Sequence, residues 1–182
     1  MSNALLIMFR DSITPPGEAI RGHAQIADVY RRVYFGWVAE LGEEVPAQIL
    51  LEADRMAASE GNAGIEILMC DSGQVTLYSA KCLSIAVLSG GGRFSTPRPD
   101  LTPAYMRRAQ CAAWFELGAI IKLVDFEYEL GSWEDVECLS RRNLTAARQE
   151  SGTINITSLT HSTGTIWQVF YRNDKELIST QN

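Results

Sequence analysis

The chain has 182 residues, of which 46% are hydrophobic, 9% aromatic and 21% charged, a size and balance that suit one folded domain over residues 1–182 and exclude a disordered or fibrous chain. Sixteen Lys plus Arg against 22 Asp plus Glu leave a net charge of −6, so no overall field draws the protein to nucleic acid or to an anionic membrane, and neither is expected as a partner. Cys70, Cys82, Cys111 and Cys138 form no CxxC pair and only His23 and His161 are present, which points to reduced, buried thiols in a cytoplasmic protein and excludes a His-rich metal site.

Residues 4–9 are an apolar run without helical spacing, too short for a signal sequence or a membrane span, and read as a first strand. Thr14 as N-cap and Pro15 as first residue predict a long helix over residues 15–41, kinked or broken near Gly22, with Ile26, Tyr30, Val33, Trp37 and Leu41 on its apolar face. A second helix begins at Pro46, turns Ile49, Ala53, Met56 and Ala57 inward, and stops at Gly61. The period then changes to two. Ile65, Ile67 and Met69, a turn at Asp71, Ser72 and Gly73, then Val75 and Leu77 predict a hairpin, which Leu83, Ile85 and Val87 extend as a third strand.

Residues 93–100 contain Pro97 and Pro99 and read as an ordered loop. Thr102 and Pro103 predict a third helix that turns Met106, Ala109, Ala113 and Leu117 inward, contains Cys111 and ends at Gly118. A strand follows over residues 121–130, and the Ser132 and Asp135 spacing predicts a fourth helix running toward Glu150. A hairpin of residues 153–160 and 165–172 closes the chain, and residues 173–182 form a polar tail that frays. The order β-α-α-β-β-β-α-β-α-β-β predicts an α+β fold, a mainly antiparallel sheet with helices packed on it.

Gly90, Gly91 and Gly92 are followed by Arg93, Arg98, Arg107 and Arg108. Consecutive glycines expose backbone N–H groups and arginine forks match carboxylates and phosphates, so this segment is a candidate site for an anionic ligand. Its spacing is neither that of a P-loop nor that of a dinucleotide fingerprint. Asp125, Glu127 and Glu129 alternate, which puts three carboxylates on one side of a strand, where they would hold a divalent metal or form an ordinary solvated face. The string Val124, Asp125, Phe126, Glu127 resembles the first acidic motif of the exonucleases that use two metals, over those four residues only. His161, Ser162 and Thr163 resemble half of the signature of phosphoesterases with two His-x-Thr motifs; His23, followed by Ala24 and Gln25, does not supply the other half, and a polar turn accounts for the segment. Tyr30, Tyr34, Phe35, Trp37, Trp114 and Phe115 exceed what one face buries, which makes Phe35 or Phe115 a candidate for a dimer contact or an apolar ligand cleft.

With no complete catalytic set, the sequence favours a non-catalytic module without a cofactor, homodimeric, that binds a small anionic or apolar ligand or another protein. The alternative is a metal-dependent hydrolase acting on a phosphoester, with Asp125, Glu127 and Glu129 as metal ligands and the glycine and arginine segment holding the anion.

Overall fold

The computed structural model describes residues 2–9, 11, 14–39, 45–58, 65–71, 76–124, 133–138 and 166–171. In chain order these form β1 (Ser2–Phe9), α1 (Glu18–Tyr30), β2 (Val33–Trp37), α2 (Ala47–Ala58), β3 (Glu66–Asp71), β4 (Thr76–Val87), two 3-10 turns (Pro99–Leu101 and Ala104–Met106), β5 (Ala113–Lys122), β6 (Trp133–Cys138) and β7 (Ile166–Tyr171). The strands make one sheet in the order β2-β5-β4-β3-β1-β7-β6. β1 and β3 pair in parallel, from Ala4 opposite Glu66 to Phe9 opposite Asp71, while the other neighbours are antiparallel. The fold is therefore α+β with a mixed, mainly antiparallel sheet.

The missing alternation of residues 4–9 has its cause here. β1 lies inside the sheet and Ala4, Leu5, Leu6, Ile7 and Met8 are all buried, as expected of a strand covered on both faces. α1 packs on β2 and β5, and α2 on β4. α2 buries Ala47, Leu50 and Ala53, so its core stripe runs through Leu50 rather than the expected Ile49, which is exposed.

Parts of three expected helices are strands instead. The first helix ends at Tyr30, where Arg31 adopts a left-handed φ of 61° and donates its N–H to the Ala27 carbonyl. Beyond it Val33, Tyr34, Phe35, Gly36 and Trp37 are all buried, and a run apolar on every side gains more from a pleated strand than from a helix that buries one stripe. Tyr30, assigned to the apolar face, is exposed. The helix start also differs: Gly17, with φ 79°, stands at the N-cap in place of Thr14.

The third expected helix is absent for the same reason. Cys111, Ala112, Ala113, Trp114 and Phe115 are consecutively buried, and the chain forms 3-10 turns and then β5, with Gly118 inside the strand. Cys111 sits not in a helix but in a single bridge to Phe94. The fourth helix is contradicted at its start, because residues 133–138 are β6, with Trp133 opposite Tyr171 of β7; a long-range ladder outweighs a local capping pattern. Of the expected strand over residues 121–130, residues 121 and 122 are the last of β5. Residues 125–130, 139–150, 153–160 and 173–182, to which strand, helix, hairpin and tail were assigned, lie outside the described residues.

The second and third strands of the expected meander are one strand, β4, with register shifts between Ala80 and Ser84. β3 pairs with β4 only as far as Lys81, so the rest of that edge needs other partners. Asp54 of α2 provides one: its Oδ1 accepts the Ile85 N–H at 2.6 Å. Replacing Asp54 by Ala leaves this half-buried donor unpaired and is expected to cost about 1–3 kcal/mol of stability in denaturant unfolding, whereas Asp54→Asn, which keeps the acceptor, costs less.

Candidate functional site

Residues 88–111 leave β4 and return to β5 as an ordered flap. Its first bend is built on glycine: Gly91 and Gly92 have φ of 73° and 107°, left-handed values that L side chains rarely adopt, and the Gly91 N–H donates to the Leu88 carbonyl at 2.9 Å. Phe94 and Cys111 then exchange backbone hydrogen bonds of 2.9 and 3.0 Å and close the flap at its base. The Trp114 indole N–H donates to the Phe94 carbonyl at 3.0 Å. Leu101 and Met106 pack with Tyr34, Cys111 and Trp114 on the sheet face opposite the main core. Inside the flap a ring of polar bonds fixes the backbone. The Arg98 N–H donates to Thr96 Oγ1 at 3.3 Å, the Thr96 and Thr102 hydroxyls lie 2.6 Å apart, and Thr102 donates to the Arg98 carbonyl at 2.8 Å.

The four arginines singled out from sequence all belong to this flap, and three of them are held by different partners. Arg93 donates from Nη2 to the Ala39 carbonyl at 2.5 Å, beyond the end of β2. Arg98 lies toward the start of that strand, within electrostatic reach of Tyr34 and Glu116, and forms a bidentate pair with Asp100 at 3.0 and 2.7 Å. Arg107 Nε donates to the Thr102 carbonyl at 3.0 Å, and Arg108 is exposed. Carbonyl partners orient a guanidinium without neutralising it. Among the described residues no carboxylate pairs with Arg93, Arg107 or Arg108. The four arginines are thus distributed along the flap, Arg93 by Ala39 past the end of β2 and Arg98 toward Tyr34.

Phe35 and Phe115 are buried in the main core, so neither is available as a dimer contact or a cleft wall. Cys70, Cys82 and Cys111 are free and buried, and burial raises their thiols to about 12, which keeps them protonated and unreactive at neutral pH. Asp125, Glu127, Glu129 and His161 lie outside the described residues. Among the described residues no group of His, Cys, Asp and Glu could hold a metal ion, and no helix is long and apolar enough to cross a membrane.

One polar cluster was missed by the sequence reading. Glu116 of β5 stands opposite Tyr34 of β2 and Ser84 of β4. Its Oε2 accepts the Tyr34 hydroxyl at 3.3 Å and the Ser84 hydroxyl at 2.8 Å, and its Oε1 accepts Arg32 Nη1 at 3.0 Å. Placing residues 103–118 on a helix hid this row, which exists only across three strands.

Fold and flap together define an α+β fold that carries four arginines on an ordered segment fastened to a sheet face. A family model described as Pua-like matches residues 5–179, and the chain belongs to the Pua-like family. No curated protein and no solved structure matches it. Pua-like domains typically bind RNA, which overturns the exclusion of nucleic acid as a partner. That exclusion rested on net charge, an average over the chain, whereas phosphate contacts depend on local arginines within a screening length of about 8–10 Å.

α1 and the flap meet at His23. The ring is buried 4.9 Å from Phe35 and 6.1 Å from Tyr105, its Nδ1 donates to the Ala19 carbonyl at 2.8 Å, and its Nε2 has no hydrogen-bond partner among the described residues. Burial pushes its pKa down from 6.5 to about 4. Below pH 6.5 the unfolded chain takes up a proton that the folded chain refuses, so stability present above pH 6.5 is lost as the pH falls toward 4, by about 3 kcal/mol in all. Urea unfolding at stepped pH is expected to show this slope, and His23→Gln to flatten it.

Proposed function

We propose that the protein is an RNA-binding module whose flap arginines engage the phosphodiester backbone. The observation that carries this reading is the distribution of arginines along an ordered flap in a chain of the Pua-like family. A single phosphate would need convergent donors, whereas cations strung along one segment suit a ligand with repeated negative charges. Arg93 and Arg107 are aimed by backbone carbonyls and keep their charge, Arg108 adds a third, and the left-handed bend at Gly91 and Gly92 brings an unencumbered backbone beside Arg93. Binding of this kind is compatible with the non-catalytic module inferred from the sequence, with a polymeric anion in place of a small one. The metal-dependent hydrolase would rest on Asp125, Glu127 and Glu129, and no observation favours it.

Fluorescence anisotropy with a labelled single-stranded RNA between 50 and 200 mM salt tests the proposal. Affinity is expected to fall linearly in log–log form, with a slope of about −0.7 per phosphate contact, and Arg107→Ala with Arg108→Ala should reduce its magnitude by about 1.4. Absence of salt-dependent binding, or an unchanged slope in the double variant, overturns it.

A further inference from the structure

We propose that Arg32 and Glu116, braced by Tyr34 and Ser84, read the Watson–Crick edge of an unpaired nucleobase, which makes the protein selective for single-stranded RNA. The inference builds on the RNA reading above and adds a second element to it: the flap would hold phosphates, and this row would contact bases.

The row lies on the sheet face that the flap partly covers. Tyr34, Glu116 and Ser84 sit on three adjacent strands, so their spacing is set by backbone hydrogen bonds rather than by a loop. The Glu116 side chain is only 13% exposed, and the Arg32 side chain 53%. A carboxylate offers about four acceptor positions. Tyr34 and Ser84 occupy two on Oε2 and Arg32 occupies one on Oε1, which leaves one acceptor on the oxygen beside Arg32. Arg32 contributes one of about five guanidinium N–H groups to this bond, and the others point donors from a half-exposed head. A vacant acceptor thus stands next to oriented donors. The Watson–Crick edge of every base presents a donor beside an acceptor, and only an unpaired base leaves that edge accessible.

The position relative to the flap fits the same ligand. Arg98, held on the flap by Asp100, lies within electrostatic reach of both Tyr34 and Glu116, so the flap comes near the Arg32 and Glu116 pair. A strand whose phosphates follow the flap would bring its bases over that pair. Phosphate contacts position a nucleic acid and base-edge contacts discriminate.

The test uses the full chain with three RNA probes of equal length: single-stranded, duplex, and single-stranded with abasic positions that keep the phosphates and lose the bases. The wild-type protein should bind the first most tightly. Glu116→Gln, which keeps size and one acceptor but removes the charge that orients Arg32, should weaken the single-stranded probe about tenfold and leave the other two unchanged. Arg32→Gln, at a half-exposed position, should do the same and guards against a folding defect in the first variant, with thermal melts run alongside. Arg107→Ala with Arg108→Ala should weaken all three probes alike. Equal effects of the Glu116 and Arg32 variants on all probes, or none, overturn the base-reading proposal while the RNA reading stands. Failure of the wild-type protein to bind any of the three overturns both.

Discussion

The flap sits where it does because Gly36 has no side chain. A Cβ at this position in β2 would lie 2.6 Å from Cys111 Sγ, 2.7 Å from Trp114 Cζ3 and 2.9 Å from Met106 Cε, all well inside contact distance. These three residues form the seat of the flap: Met106 and Cys111 belong to it, and Trp114 holds it through its indole bond to Phe94. A bare backbone on an edge strand lets sulfur and aromatic groups close directly on the sheet, and interiors packed at crystal-like density do not absorb an extra methyl group there without rearrangement.

Where the structure interrupts regular hydrogen bonding, a side chain takes over. Asp54 meets the Ile85 N–H at the place where β4 outruns β3, and the Thr96 and Thr102 hydroxyls serve the Arg98 backbone just ahead of the first 3-10 turn. Glu116 does the converse, receiving donors from side chains on neighbouring strands while it stays mostly out of water. Each of these groups would be costly without its partners.

What the sequence showed and what it hid divide along a physical line. β1, α2, the antiparallel pair of β3 and β4, and β7 were legible because each has a local signature: an apolar run, a capped amphipathic stretch, an alternating pair, a strand ahead of a polar end. The glycine bend and its four arginines were legible for the same reason, since they are contiguous. Val33 to Trp37 and Cys111 to Phe115 were misread as helical because continuous apolar residues satisfy the three-and-four spacing of a helix as readily as the burial of a strand; the choice is made by neighbours more than 70 residues away in β2 and β5. The row of Tyr34, Ser84 and Glu116 could not be found from any window, because its members meet only through strand register.

The flap also changes the meaning of the overall charge. Residues 93–108 hold four arginines against the single Asp100, so the rest of the chain is more acidic than the total of −6 suggests. The flap is therefore a local excess of positive charge in a chain that is acidic as a whole. Over a screening length of about 8–10 Å, what a neighbouring group meets at the flap is this local charge and not the average of the chain.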